Sequence, residues 1–166
     1  METIVDVVIE AEAWDVIGLR ELAERAVRTS LRHLRLPAAA EVAVLATDDA
    51  RITLLNADFR AKEAATNVLS WPSEDLSADT PGGQPLLPEA DFPGEPAFLG
   101  DIALAWETCS REAVAAGKPV EAHVCHLVVH GLLHLLGYDH ISEEDAALME
   151  GIEVEILGKL GLPDPY

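Results

Sequence analysis

The chain is poor in cysteine and in basic residues, and each shortage argues against a class of protein. Its two cysteines, Cys109 and Cys125, are too few and too isolated for a disulfide framework or a cysteine-rich zinc module. We expect both to be free buried thiols. The sequence has 11 Lys and Arg but 30 Asp and Glu, so its formal net charge is −19. This charge argues against general attraction to nucleic acid or to an anionic membrane.

The sequence also lacks a long apolar run. It has no stretch of about 18 apolar residues, and Met1 is followed by the acidic residues Glu2 and Asp6 rather than by a basic and then an apolar segment. We therefore expect neither a membrane span nor a secretory signal, and we predict a cytoplasmic protein. A chain of 166 residues fits one domain, here 1–166, with an ordinary core.

Three histidines with metal-ligand spacing are the most informative residues present. A helix places His130 and His134 on one face, and Gly137 allows a turn that returns His140 as a third ligand. Three imidazoles suit zinc, and three protein ligands leave a fourth position open, as in catalytic sites. The spacing matches the metzincin protease signature except at Gly131, which stands where the protease has its glutamate base.

The order of sequence patterns predicts an α+β fold or a mixed α/β sandwich. Strands come early, helices dominate late, and we expect a small mixed sheet of about four strands packed with about five helices, the metal helix central. The predicted strands are 3–10, 41–47, 66–71 and 98–106. The predicted helices are 15–36, one capped by Asp48 or Asp49, 107–116, 120–136 and 142–160.

Two further segments have unusual composition. A Pro-rich acidic insertion at about 72–98 contains no Lys or Arg, and we favour a solvated connection over a mobile flap for it. A basic stripe lies along the first predicted helix, and its arginines fall within an arc of about 80°. The stripe is interpreted as a solubilising face in preference to a polyanion contact, and its members are Arg25, Arg28, Arg32 and Arg35.

Three blocks of sequence, taken together, resemble the YbeY family of bacterial rRNA-processing metalloproteins. The run from His130 to His140 resembles the zinc motif of that family. The segments 55–60 and 66–72 look like its second motif, with Asn67 and Trp71 where the family often has Asp and Phe. The segment 99–102, Leu-Gly-Asp-Ile, is similar to its third motif.

The resemblance implies a zinc-dependent endoribonuclease specific for single-stranded RNA, acting in 3′ end maturation of small-subunit rRNA and in ribosome quality control. It implies one zinc ion per chain, held by His130, His134 and His140, and it makes Arg60 the functional arginine. The implied partners are rRNA, the small ribosomal subunit and assembly factors including a ribosome-associated GTPase. Chemically, Arg60 would clamp a phosphate and stabilise transition-state charge.

Other residues and other functions stay open at this point. Asp139 and Asp101 are candidates for orienting a ligand, and His126 is a candidate for substrate contact or for a hydrogen-bonded structural role. No residue is an obvious general base, so the attacking group is water or the 2′-hydroxyl of the RNA. The alternatives are a non-catalytic, zinc-stabilised ribosome-assembly factor and a protease-like zinc hydrolase.

Overall fold

Four strands rich in apolar residues pair into one mixed sheet. The computed structural model describes residues 3–36, 39–61 and 64–166, without the side chains of Phe59 and Arg60. The strands are β1 (Ile4–Ile9), β2 (Ala40–Thr47), β3 (Val68–Pro72) and β4 (Ala97–Ala105). Their order is β1-β2-β4-β3, with β2 parallel to both β1 and β4, and β3 antiparallel to β4.

Six helices are present in the described ranges. They are α1 (Ala13–Val16), α2 (Leu19–Leu34), α3 (Asp49–Arg60), α4 (Trp106–Ala116), α5 (Val120–Leu135) and α6 (Glu143–Lys159). Asp48 caps α3 by accepting the Arg51 backbone N–H at 2.8 Å, and Ser142 caps α6 by accepting that of Asp145 at 3.0 Å. Asp48 is one of the two predicted caps for α3, and α6 begins within one residue of the predicted start at 142.

The single helix predicted over 15–36 is wrong, because Gly18 divides it. Gly18 has φ 70°, a left-handed conformation that ends α1 and precedes α2. Helical periodicity continues across this break, so the apolar pattern alone does not reveal it. The predicted end at Pro37 lies outside the described residues; α2 itself ends at Leu34, with Arg35 in a left-handed conformation.

A bulge in β4 sets the register of the sheet. Glu41 pairs with Phe98 and Val42 pairs with Gly100, so Leu99 is the extra residue on β4. Gly100 has φ 137°, and a Cβ there would lie 2.1 Å from the carbonyl oxygen of Trp71. Glycine is therefore required at this position both by conformation and by the close approach of β3.

Helix α5 lies at the centre of the packing. It contacts β3, β4, α2, α4 and α6, and nine of its 16 residues are buried. A helix that is apolar on most of its circumference has to be covered on most sides. The α+β fold, the small mixed sheet and the central position of α5 confirm the prediction.

The Pro-rich connection between β3 and β4 is described throughout and has neither helix nor strand from 73 to 96. Only part of it is solvated: Leu76 is 3% exposed, and its carbonyl accepts the backbone N–H of Leu86 at 2.8 Å. The connection therefore packs against the body of the protein at Leu76.

Two predictions about the rest of the chain can be compared with the structure. Cys109 and Cys125 are free and buried, as expected, and burial raises their pKa values to about 12 and about 11. Within the described ranges, none of the helices has the length and apolar character needed to span a membrane.

Candidate metal centre

Helix α5 and the turn after it bring the three predicted ligands to one point. His130 and His134 are one helical turn apart, and their Nε2 atoms are 3.0 Å from each other. The His140 ring centroid lies 5.6 Å from that of His130 and 5.1 Å from that of His134. The ligand nitrogens of these three rings all lie within 4.8 Å of one another.

Gly137 makes the turn that returns His140 towards the helix. Its φ of 99° belongs to a region that residues with a Cβ rarely adopt. A Cβ at this position would also lie 2.6 Å from the backbone carbon and oxygen of Leu76. Glycine is thus needed for the turn and for the close approach of the connection between β3 and β4.

The hydrogen bonds of His130 and His134 fit a metal ion between them. Nδ1 of His134 lies 3.1 Å from the carbonyl oxygen of Tyr138, and Nδ1 of His130 lies 2.6 Å from a carboxylate oxygen of Glu153. Both oxygens accept only, so each Nδ1 carries the hydrogen and each neutral ring has a lone pair on Nε2. Two such lone pairs facing each other at 3.0 Å require a proton or a cation between them.

A proton on His134 is disfavoured at neutral pH. Burial is the largest cause, followed by the charges of His130 and His140, and together they lower the pKa of His134 to about 4. Asp139 and the Tyr138 carbonyl act in the opposite direction but are outweighed. The ring is therefore in the neutral form that binds metal ions, and three imidazoles are a donor set suited to zinc.

A buried carboxylate supports the histidines from helix α6. Glu153 is fully buried, and its two oxygens accept from His130 at 2.6 Å and from Nε2 of His126 at 2.8 Å. The Tyr166 hydroxyl donates to the same carboxylate. Burial alone would raise the pKa of Glu153, but the bonds from His126, His130 and Tyr166 outweigh it and lower the pKa to about 2.

An open cavity of about 500 Å³ lies beside His134 and His140. One wall is the loop after α5, and the other is the end of β3 and the start of the connection that follows it. The polar lining residues from this second wall are Ser70, Glu74, Asp75 and Ser77. The site therefore has room for a substrate next to the three histidines.

Gly131 packs closely against the sheet at the position where metzincin proteases have their glutamate. It is buried on α5, and a Cβ there would lie 3.3 Å from Cγ2 of Ile102 on β4. A side chain at this position would require the Ile102 side chain to shift by a few tenths of an ångström. The packing of α5 on the sheet thus accounts for glycine at this position.

The comparisons with known proteins identify the family. The family model described as Endoribonuclease YbeY matches residues 8–161. The chain belongs to the YbeY family. A relative named Endoribonuclease YbeY from Ruegeria pomeroyi is 59% identical over 162 residues, covering 97% of this chain and 96% of the relative. Another, from Dinoroseobacter shibae, is 57% identical over 165 residues, covering 98% and 90%.

The fold of this YbeY-family chain also matches a solved structure. The solution structure of a Thermotoga maritima protein superposes with a TM-score of 0.57, covering 95% of this chain and 92% of that chain. The two sequences are 20% identical, so this likeness concerns the fold alone.

Two predicted orienting residues of the YbeY-family chain have other surroundings. Asp139 follows the Gly137 turn and lines the cavity, but its Oδ1 accepts the backbone N–H of His140 at 2.7 Å, while the Tyr138 carbonyl holds the His134 ring. Asp101 is exposed on β4 and lines a different cavity, on the sheet face away from α5. The structure does not bring Asp101 to the histidines.

His126 and Arg60 differ in how much the structure describes of them. His126 lies one turn before His130 on α5, and its Nε2 forms a hydrogen bond with Glu153. Of the two roles considered for His126, substrate contact and a hydrogen-bonded structural role, this contact corresponds to the second. Arg60 is the last residue of α3, and its side chain lies outside the described part of the structure.

Three members of the predicted basic stripe lie on α2 and the fourth, Arg35, is the residue that ends it; two of the four are engaged within the chain. Arg25 donates to the carbonyl oxygen of Leu160 at 3.4 Å, and Arg28 pairs with Glu24 at 3.0 Å. Arg32 and Arg35 are exposed. None of the four lines the cavity beside the histidines.

Sequence reasoning missed Glu153, although a signal was present. Met149, Ile156 and Leu160 are buried on one face of the α6 segment, and Glu153 lies on that same face. An acidic residue on an apolar helical face needs a buried partner, and here the partners are histidines. The sequence contains no comparable pattern for Tyr166 or for the cavity wall before Leu76, because only the tertiary fold brings these residues to the site.

Proposed function

We propose that the chain is a zinc-dependent endoribonuclease that cuts single-stranded RNA, with His130, His134 and His140 holding one ion. The observation that carries the proposal is the pair of Nε2 lone pairs facing each other at 3.0 Å beside an open cavity. Membership of the YbeY family supports RNA as the substrate, since the curated relatives are named endoribonucleases.

The charge of the cavity supports a requirement for the ion in RNA binding. Glu74, Asp75 and Asp139 line it together with His134 and His140, so its wall is rich in negative charge. A phosphodiester entering such a cavity is repelled unless a cation is bound. When bound, zinc polarises a phosphoryl oxygen and stabilises the charge that develops in the transition state.

Arg60 is proposed as the residue that holds the phosphate. Its position at the end of α3 matches the second family motif, and a guanidinium donates two parallel hydrogen bonds to phosphate oxygens. The attacking group is water or the 2′-hydroxyl of the RNA. Analysis of the products separates them, because a 2′,3′-cyclic phosphate excludes attack by water in the first step.

We also propose 3′ end maturation of small-subunit rRNA and ribosome quality control in the cytoplasm as the setting of this activity. The partners would be the small ribosomal subunit and assembly factors including a ribosome-associated GTPase. The net charge of −19 supports a partner-directed mode of action, since an acidic protein gains little from general attraction to RNA.

The test combines metal analysis with cleavage of a single-stranded RNA. Wild type, His134→Ala and Arg60→Glu are purified in parallel, with His33→Ala as the matched control, because His33 pairs with Glu155 away from the cavity. We expect one zinc ion per chain in wild type and in the His33 and Arg60 variants, and RNA cleavage by wild type and the His33 variant alone.

Three outcomes would contradict the proposal. Equal cleavage by all four proteins indicates a contaminating nuclease. Zinc binding without cleavage, combined with unchanged association with the small ribosomal subunit, would favour the non-catalytic assembly factor. Peptide hydrolysis by the zinc-loaded protein would favour the protease-like alternative, whose carboxylate base would have to come from a position other than 131.

A further inference from the structure

Glu153 connects the metal centre to two groups that do not belong to it. Its Oε1 accepts from Nδ1 of His130, and its Oε2 accepts from Nε2 of His126 and from the Tyr166 hydroxyl. The carboxylate is fully buried on α6, while Tyr166 lies in the segment after that helix. A charge removed from water in this way is held in place by all three donors.

The bond to Glu153 determines which nitrogen of His130 is free. A carboxylate only accepts, so Nδ1 of His130 carries the hydrogen and Nε2 is left with its lone pair. That lone pair is directed at Nε2 of His134. In the other tautomer His130 would present an N–H to the same point and would be unable to bind an ion there.

The same carboxylate also occupies Nε2 of His126, so this nitrogen is not available to the ion. Nε2 of His126 is bonded to Glu153, although the helical spacing would otherwise make this ring a neighbour of the ligands. His126, His130 and Glu153 also have the composition of a metal site. Their separations of 2.6 and 2.8 Å are nevertheless those of charge-assisted hydrogen bonds.

Each of these two contacts joins a ring nitrogen to a carboxylate oxygen, so a hydrogen on the nitrogen satisfies it without an ion. The Nε2 atoms of His130 and His134 cannot pair in this way when both rings carry their hydrogen on Nδ1. The cluster around Glu153 is therefore described as a set of hydrogen bonds and not as a second metal site.

We propose that Glu153, held by Tyr166, is a positioning residue that keeps His130 in the tautomer presenting Nε2 to the metal ion. The inference rests on the proposed metal site of His130, His134 and His140. A carboxylate that orients a ligand histidine also raises the basicity of its ring, so it strengthens metal binding.

Tyr166 acts on His130 only indirectly, through the Glu153 carboxylate. Its hydroxyl donates to the oxygen shared with His126, not to the one that accepts from His130. Losing this hydroxyl leaves the bonds to His130 and His126 intact but removes one of the three donors that hold the carboxylate. The effect of Tyr166→Phe should therefore have the same sign as the loss of Glu153 and be smaller.

The test compares wild type with Glu153→Met, Glu153→Gln, Tyr166→Phe and the control Glu155→Gln. Methionine replaces both carboxylate oxygens by a weakly accepting sulfur in a similar volume, whereas glutamine retains one oxygen for Nδ1 of His130. Glu155 is on the same helix and pairs with His33, outside the centre. The readouts are zinc affinity by chelator competition and, in metal-free protein, the His130 tautomer from ¹⁵N chemical shifts.

We expect Glu153→Met to weaken zinc binding about 10–100-fold and to give a mixture of His130 tautomers. Glu153→Gln should recover part of the affinity, Tyr166→Phe should lose less than methionine does, and Glu155→Gln should match wild type. If the methionine variant does not fold, the glutamine and phenylalanine variants carry the test, since both should bind zinc more weakly than wild type.

The outcomes separate this inference from the proposed function. Wild-type zinc affinity and an unchanged tautomer in the Glu153 and Tyr166 variants would overturn the inference alone. A wild type that binds no zinc would overturn the proposed function and this inference with it.

Discussion

Replacing Gly137 by alanine tests the turn on which the candidate metal centre depends. The backbone at Gly137 has φ 99°, and a residue with a Cβ in a sparsely populated region costs about 1–3 kcal/mol. The Cβ would also lie 2.6 Å from the Leu76 backbone, which has to move. We therefore expect Gly137→Ala to lower the free energy of unfolding by at least about 2 kcal/mol.

A matched substitution on α6 should have the opposite sign. Gly151 lies within the helix, and a Cβ there would meet nothing within 4 Å. Because alanine is favoured over glycine in a helix by about 0.8–1.0 kcal/mol, Gly151→Ala should stabilise the protein by about that amount. The same Gly-to-Ala change is therefore expected to raise stability at one site and lower it at the other.

Thermal and urea unfolding measure both effects. For a chain of this size, about 1 kcal/mol corresponds to about 2–4 °C in Tm, so the two variants should lie on either side of wild type. His140 follows the turn, so Gly137→Ala should also weaken zinc binding while Gly151→Ala leaves it unchanged. A Gly137→Ala protein with wild-type stability and zinc affinity would refute the reasoning.

Two further predictions concern charge. In metal-free protein the pKa of Glu153 is about 2 instead of its ordinary 4.5, so its carboxylate stabilises the fold above pH 4.5. This contribution, on the order of 3 kcal/mol, should be lost as the pH falls from about 4.5 towards 2, and it should be missing in Glu153→Gln. Urea unfolding at a series of pH values measures it. An equal pH dependence of the free energy of unfolding in both proteins would contradict the prediction. If the stripe contacts phosphates, replacing Arg32 and Arg35 by Glu should lower the affinity for RNA and make that affinity less dependent on salt concentration. Unchanged RNA cleavage and ribosome association would show that the stripe is only a solvated face.

The local signals in the sequence predicted most of the elements correctly. The four strands, the cap at Asp48 and the boundary between α4 and α5 all appear where the sequence patterns predict them. The error at Gly18 has a physical reason. An amphipathic pattern survives a break when the two helices on either side present apolar faces to the same core.

The candidate site was predictable in part for the same reason. His130, His134 and His140 come from one helix and the turn that follows it, so their proximity depends on local geometry. The carboxylate of Glu153 arrives from another helix and Tyr166 from the segment beyond it. No spacing rule relates residues 23 or more positions apart, so their meeting depends on how the helices pack.

The sequence by itself determined the three histidines, their helical spacing and the glycine that turns the chain back, because these follow from the geometry of one helix and one turn. Only the tertiary structure decided which nitrogen of His130 is free, since that depends on a carboxylate delivered by α6. It also decided that the connection after β3 forms one wall of the cavity, through the packing of Leu76 against Gly137. Such contacts arise from the burial of apolar surface over the whole chain, which no local pattern records.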